Sequence, residues 1–226
     1  MLEQIKNKLV VSCQALPEEP LHSSLIMGRM ALAAELGGAA GIRAQSKADI
    51  LEIERICSLP VIGIVKRKYE DSEVFITATE FEVNELLETN CAIIAMDATK
   101  RPRPNGTQLA DLLALVHAGG RLAMADCSTF EECLAAQALG FDVVSTTLCG
   151  YTSYSEQLDG PNFALLKRCV TELQVPIIAE GKINTPEDLR RVYDECGVYS
   201  AVVGGAITRP QQITARFVKV LEGSED

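Results

Sequence analysis

Short apolar runs alternate along the chain with segments of helical periodicity. Several of the runs, such as VIGIV at 61–65 and CAIIAM at 91–96, lack the polar and apolar alternation of a half-exposed strand. Continuous apolar character is typical of strands that are buried on both faces of a parallel sheet. The predicted strands are 9–13, 41–44, 61–65, 91–96, 121–125, 142–148, 175–179 and 201–205.

Between these runs, apolar residues recur at three- and four-residue spacing, which predicts amphipathic helices. The predicted helices are 25–36, 47–57, 80–89, 107–118, 129–139, 161–173, 185–195 and 210–221. Ser46, Thr107, Ser128 and Thr185 are the expected N-terminal caps, because their hydroxyls can accept from free backbone N–H groups. Thr185 is followed by Pro186 and two carboxylates, a combination that favours a helix start.

Eight successive strand-then-helix units in 226 residues predict an α/β fold, a (β/α)8 TIM barrel. No linker or low-complexity segment divides the units, so we expect one barrel domain over residues 1–226. A doubly wound open sheet is the alternative fold, and it would carry a glycine-rich turn after its first strand. The segment SCQALPEEP at 12–20 has no glycine, which favours the barrel.

Composition and charge narrow the class of protein. With 47% hydrophobic and 23% charged residues, the chain suits a globular domain with a substantial core. The N-terminal residues have no secretory pattern and charge interrupts the longer apolar runs, so we expect neither secretion nor membrane insertion. A net charge of −10 argues against a nucleic-acid surface, although a small anion could still bind at a local site.

The cysteines are scattered singly and form no C-x-x-C motif, which indicates reduced, buried thiols and a cytoplasmic protein. They are Cys13, Cys57, Cys91, Cys127, Cys133, Cys149, Cys169 and Cys196. Cys127 follows Asp126 and is the candidate for a nucleophile, but no histidine lies near it in sequence, so core packing is the favoured role. The two histidines, His22 and His117, lie far apart, and we predict no metal site.

In a (β/α)8 barrel the active site lies where the strands end and the βα loops begin. Several ionisable groups follow apolar runs directly at these positions, where an unpaired charge would be costly. The residues at the predicted strand ends are Gln14, Arg43, Lys66, Asp97, Asp126, Thr146, Thr147, Glu180, Gly204 and Gly205.

The last two units carry a phosphate-binding pattern. Gly181-Lys182 follows the seventh strand and Gly204-Gly205 the eighth, where this fold commonly binds phosphate. Pro210 would open the final helix, whose N–H groups could face the anion, and Arg209 could act as a bidentate clamp. A simple turn at the glycine pair is the alternative, and its position after the eighth strand favours phosphate binding.

Lys66 and Glu180 are the candidate acid and base. Lys66 combines an apolar approach with the basic neighbours Arg67 and Lys68, which can lower its pKa, although a solvated lysine is the alternative. Glu180 directly follows VPIIA and precedes the glycine loop, so a plain surface role is harder to accept. Asp126 and Arg43 could form a structural ion pair, orient a catalytic group or hold sugar hydroxyls.

A series of longer motifs runs in order along essentially the whole chain. The motifs are VSCQALPEEPLHSS, GIRA, IGIVKR, MDATKRPRPNG, MADCST, VSTTLCGYT, AEGKINTPEDL and SAVVGGAITRPQQIT. Together they resemble the successive motifs of the N-acetylmannosamine-6-phosphate 2-epimerases of bacterial sialic-acid catabolism.

The resemblance implies a TIM-barrel enzyme that acts on the acyclic phosphorylated amino sugar with no cofactor and no obligatory metal. It implies that Lys66 and Glu180 are the acid/base pair that moves the C2 proton. Its substrate-binding residues would be Gln14, Arg43, Asp126, Thr147, Gly181, Lys182, Gly204, Gly205 and Arg209. Nucleic acid and membrane are not expected partners, and a second copy of the chain, forming a homodimer, is a candidate partner.

Two alternatives remain beside this interpretation. In a related phosphosugar barrel, Lys66 would form a Schiff base with the substrate and a C–C bond would break. In a sugar-phosphate sensor the pocket would persist without chemistry, and the presence of both Lys66 and Glu180 counts against that function.

Overall fold

A computed structural model of the protein describes residues 1–222, and its eight parallel strands close into a barrel. Each strand pairs with the next in sequence, and β1 pairs with β8. The strands are β1 (Leu9–Cys13), β2 (Gly41–Gln45), β3 (Val61–Ile64), β4 (Ile93–Asp97), β5 (Leu122–Asp126), β6 (Val143–Ser145), β7 (Ile177–Glu180) and β8 (Ser200–Val203). The predicted TIM barrel is therefore confirmed, and the open sheet is wrong because the first and last strands are hydrogen-bonded.

Helices surround the barrel, one or more after each strand. They are α1 (Leu2–Ile5), α2 (Ser24–Leu36), α3 (Lys47–Ile56), α4 (Glu80–Leu87), α5 (Leu109–Ala118), α6 (Phe130–Leu139), α7 (Phe163–Glu172), α8 (Pro186–Cys196), α9 (Gly205–Thr208) and α10 (Pro210–Glu222). All eight predicted helices are present. The four-residue helices α1 and α9 were not predicted, because one turn is too short to show a periodic pattern.

Two of the four predicted helix caps are present. Ser46 and Thr185 cap α3 and α8 as predicted, each accepting from a backbone N–H three residues on. Thr107 and Ser128 were predicted wrongly. Residues 104–106 form a 3-10 turn, so α5 begins only at Leu109 and Thr107 lies before its cap position. The side chain that caps α6 is that of Thr129. Ser128 instead donates its hydroxyl to the Glu132 carboxylate at 2.6 Å.

Two apolar layers stabilise the fold. Alternate strand residues, such as Ile62, Ile93, Met124 and Ile178, fill the barrel interior, while their neighbours pack against the helices. Both faces of the strands are therefore buried, which explains why the strand sequences do not alternate. The polar residues that follow this interior column are held at the carboxyl ends of the strands, where the barrel opens.

All eight cysteines are free, as expected. Seven are buried, whereas Cys149 is only partly buried, because it lies in the loop that follows β6. Complete burial raises the pKa of the Cys127 thiol, which argues against a nucleophilic role for this residue. Among residues 1–222, no helix is long and apolar enough to cross a membrane.

Candidate active site

Arg43 lies at the centre of the barrel mouth and joins two carboxylates. Its guanidinium is almost completely buried and binds Asp126 through two hydrogen bonds, of 3.0 Å and 2.6 Å. The same Nη1 atom lies 2.9 Å from Oε2 of Glu180. The ion pair that the sequence left open is therefore present, and it extends to the candidate catalytic carboxylate.

Glu180 ends β7 with its carboxyl group facing this cluster, and its side chain is only 14% exposed. Burial is the largest influence on its pKa, which rises to about 7. Arg43 opposes that rise, and the nearby charge of Asp126 adds to it. A carboxyl group with a pKa near neutrality can both take up and release a proton at physiological pH.

Lys66 follows β3 and enters the same charged cluster from the other side of the mouth. Burial and the positive charges of Arg43 and Arg209 lower its pKa to about 8, against the opposing influence of Glu180 and Asp126. Within residues 1–222 its ammonium group has no hydrogen-bond or salt-bridge partner. The structure therefore brings Lys66 and Glu180 to one site with pKa values of about 8 and about 7, although they are far apart in sequence.

Gln14 also lies at the mouth, with its side chain almost completely buried. The amide nitrogen donates to the Ser12 hydroxyl at 2.8 Å, while the buried Oε1 has no partner among the described residues. A buried acceptor without a donor is costly, so this oxygen is suited to bind an O–H or N–H group of a ligand.

The two glycine loops differ from the sequence prediction in one respect. Gly181 has a φ of +110° and Lys182 a φ of +55°, so the chain turns sharply directly after Glu180. After β8, Gly204 caps α9, and only then does Pro210 begin α10. Pro210 begins the final helix as predicted, but the unpredicted α9 lies between it and β8, so the free N–H groups that directly follow the eighth strand belong to α9.

The sequence suggested that Arg209 could be a bidentate clamp for the phosphate, but its guanidinium is not free. Its Nε and Nη2 atoms donate to the Glu19 carboxylate at 2.6 Å and 3.2 Å. Its Nη1 atom lies on the other side, 3.6 Å from where a Cβ of Gly205 would be. One edge of the guanidinium is thus used by Glu19, and Nη1 remains on the side of the glycine loop.

Lys182 likewise has a different environment from the one expected of a phosphate ligand. Its ammonium group donates to the backbone oxygen of Leu158 and lies 5.9 Å from the centre of the Tyr151 ring. Gly150 packs directly beneath it, since a Cβ there would lie 3.0 Å from Nζ. The side chain therefore fastens the loop between β6 and α7, and only the backbone of Lys182 belongs to the glycine loop.

Some polar residues of the mouth were missed by sequence reasoning. Glu19 and Ser12 were not singled out, and Glu19 lies 190 positions from its partner Arg209. Asp97 was placed at the mouth correctly, but Arg101 and Thr99 of its own loop bind its carboxylate at 2.6 Å and 2.7 Å. Within residues 1–222, no cluster of three histidine, cysteine or acidic residues is arranged to hold a metal ion.

Comparison with known proteins gives closely related sequences. A family model described as "Putative N-acetylmannosamine-6-phosphate epimerase" matches residues 27–223. Relatives from Clostridium perfringens and Clostridioides difficile, named "Putative N-acetylmannosamine-6-phosphate 2-epimerase", are 60% and 57% identical over 98% of this chain and 100% and 99% of their own lengths.

A solved structure is equally similar. It is described as the N-acetylmannosamine-6-phosphate 2-epimerase from Clostridium perfringens and superposes with a TM-score of 0.96 at 60% identity. The match covers 97% of this chain and 96% of the solved chain. The similarity therefore includes the barrel and its mouth together.

Proposed function

The chain belongs to the N-acetylmannosamine-6-phosphate epimerase family, and we propose that Lys66 and Glu180 carry out its reaction by moving the proton on C2. The protein is an epimerase that interconverts N-acetylmannosamine 6-phosphate and N-acetylglucosamine 6-phosphate in sialic-acid catabolism. The observation that carries the proposal is the convergence of these two groups on one charged cluster, with pKa values of about 8 and about 7.

The proposed chemistry follows from these two groups. Removing the C2 proton next to the C1 carbonyl gives an enolate, and returning a proton to the opposite face inverts the carbon. One group removes the proton and the other supplies one, so each turnover exchanges their protonation states. The Lys66 and Arg43 charges would stabilise the negative charge that develops on the substrate oxygen.

The two pKa values set the range in which the pair works. The active enzyme holds one proton on the pair, a state favoured between about pH 7 and about pH 8. Below this range Glu180 and Lys66 are both protonated, and above it both have lost their protons. The two directions of the reaction use the two arrangements of that single proton, so both should have the same pH optimum.

We assign the phosphate to the loops after β7 and β8. Backbone N–H groups of Gly181, Lys182, Gly204 and Gly205 would approach the anion, as is common at this place in the fold. Nη1 of Arg209 faces the second loop and would add a charge-assisted hydrogen bond while Glu19 holds the other edge of the guanidinium. Gln14, Asp126 and Thr147 complete the proposed lining around the sugar.

The first prediction is that the C2 proton exchanges with solvent during turnover. Incubation with N-acetylmannosamine 6-phosphate in D2O should give both epimers labelled at C2, which proton NMR detects. Unphosphorylated N-acetylmannosamine is the matched control and should react far more slowly, because it lacks the anion that the glycine loops bind. Epimerisation without label would contradict proton exchange, and ligand binding without turnover would indicate the sugar-phosphate sensor.

We further propose that two copies of the chain form a homodimer through α10. The apolar side chains Phe217, Val220 and Leu221 of this helix are 72%, 78% and 87% exposed, although the eighth helix of such a barrel normally covers the strands. Its main packing partner among the described elements is the short α9. Exposure of so much apolar surface on one helix is costly, and burial against a second copy would remove it.

A groove on the barrel offers a place for the helix of the second copy. It has a volume of about 540 Å³, and it lies between α8 and the segment Asn7–Leu9. Leu9, Leu189 and Tyr193 give it apolar character among its charged residues. Because the apolar residues of α10 and the groove belong to the same chain, two copies can satisfy each other symmetrically.

The second prediction concerns this assembly. Light scattering after size exclusion should give twice the mass of one chain for the wild-type protein. The Phe217→Glu variant should have the mass of one chain, since burying a charge in the proposed interface is unfavourable. Leu134→Glu is the control, because Leu134 is an exposed apolar residue on α6, away from the proposed interface. A monomeric wild type, or a dimeric Phe217→Glu variant, would contradict the dimer.

The cytoplasm is the compartment that we propose, and a single barrel domain over residues 1–226 is the organisation. Eight free thiols are typical of a reducing environment.

A further inference from the structure

Thr147 lies between the two carboxylates of the mouth. Its Oγ1 atom is 2.7 Å from Oδ1 of Asp126 and 3.1 Å from Oε2 of Glu180. The Ser145 hydroxyl, two residues earlier on the same face of the chain, is 2.8 Å from the same atom. Thr147 therefore contacts the side chains of the site, in addition to the proposed contact with the sugar.

The Thr147 hydroxyl has more hydrogen-bonding neighbours than it has protons. Thr147 carries one hydroxyl proton, so it can donate to Asp126 or to Glu180 but not to both. If Thr147 uses its proton to donate to a carboxylate, the hydrogen bond between the two hydroxyls must use the Ser145 proton, so Ser145 donates to Thr147. One lone pair of Oγ1 then remains free, and it can accept from Glu180 when that carboxyl group is protonated.

We propose that Thr147 is a positioning residue for Glu180, and that its hydroxyl proton switches between Asp126 and Glu180 as Glu180 gains and loses the C2 proton. This inference rests on the proposed function of Glu180. When Glu180 is ionised, the hydroxyl donates to it while Asp126 keeps its two bonds from Arg43. When Glu180 is protonated, its O–H donates to Thr147, and Thr147 donates to Asp126.

Among residues 1–222, no other side chain bonded to the Glu180 carboxyl can adapt in this way. Arg43 only donates, because a guanidinium has no acceptor. The other charged or titratable groups that act on Glu180 are Lys66, Asp126 and the phenol of Tyr151. The Thr147 hydroxyl is therefore the partner that keeps both protonation states of Glu180 hydrogen-bonded.

The test is the pH profile of kcat/KM. In the wild-type enzyme, Glu180 sets the acid limb and Lys66 the alkaline limb. Thr147→Val removes a hydrogen-bond donor to the ionised Glu180 carboxylate. Because a hydrogen bond to a charged group is stronger than one to a neutral group, its loss should move the midpoint of the acid limb up by about one pH unit. The alkaline limb should stay in place, and Thr147→Ser, which keeps a hydroxyl, should restore the wild-type profile.

Further variants separate this inference from the proposed function. Thr147→Ala also lacks the hydroxyl and serves for the same comparison if the valine variant folds poorly. An unchanged acid limb in both variants, with or without a lower melting temperature, would overturn the role of Thr147. The Glu180→Gln enzyme should lose the acid limb, and an acid limb that persists there would contradict the role of Glu180 itself.

Discussion

Lys66→Ala and Glu180→Gln should each lower kcat by at least about a hundredfold, with little change in melting temperature. A positioned acid or base contributes about 10²- to 10⁴-fold to a rate, and both groups lie at the mouth of the barrel, apart from its apolar core. Stopped assays of the epimerisation, followed by NMR, measure the rates. The double variant should be scarcely worse than the poorer single variant, because residues that act as one unit lose activity non-additively.

Lys167→Ala provides the control for this comparison. Lys167 lies on α7 and forms an exposed ion pair with Glu195 at 3.2 Å, so its loss should leave kcat unchanged. A near-normal kcat together with a lower melting temperature would show that Lys66 or Glu180 is structural. Trapping of a Lys66 adduct by borohydride in the presence of substrate would instead favour the Schiff-base alternative.

Arg43→Met should lower the free energy of unfolding by about 3–5 kcal/mol, the cost of removing one member of a buried ion pair. The expected loss is large because Asp126 is fully buried and Glu180 is nearly so. Both carboxylates would lose the cation that they share. Urea denaturation at neutral pH measures the change.

Two further variants define this effect. Lys167→Ala removes an exposed cation and should cost at most about 1 kcal/mol. In an Asp126→Asn background, Arg43→Met should cost much less than in the wild type, because one of the two charges that it leaves behind is already absent. A loss below about 1 kcal/mol for Arg43→Met alone would mean that water solvates the carboxylates.

Local sequence patterns were sufficient to determine the barrel. Uninterrupted apolar runs occur where both faces of a strand are buried, and this burial is the same for every strand of a closed parallel barrel. The position of a residue at a strand end then places it at the mouth, whichever strand it follows. Lys66, Glu180, Arg43 and Asp126 could therefore be located together, although each lies in or just after a different strand.

The partners of the side chains were decided by the tertiary structure alone. The pairing of Arg209 with Glu19, the attachment of Lys182 to Leu158 and the bridge from Thr147 to two carboxylates each join distant parts of the chain. Local periodicity carries no information about such contacts, because they depend on how the loops converge above the barrel. The pKa values of Lys66 and Glu180 depend in the same way on burial and on charges from other strands, which exist only once the barrel has closed.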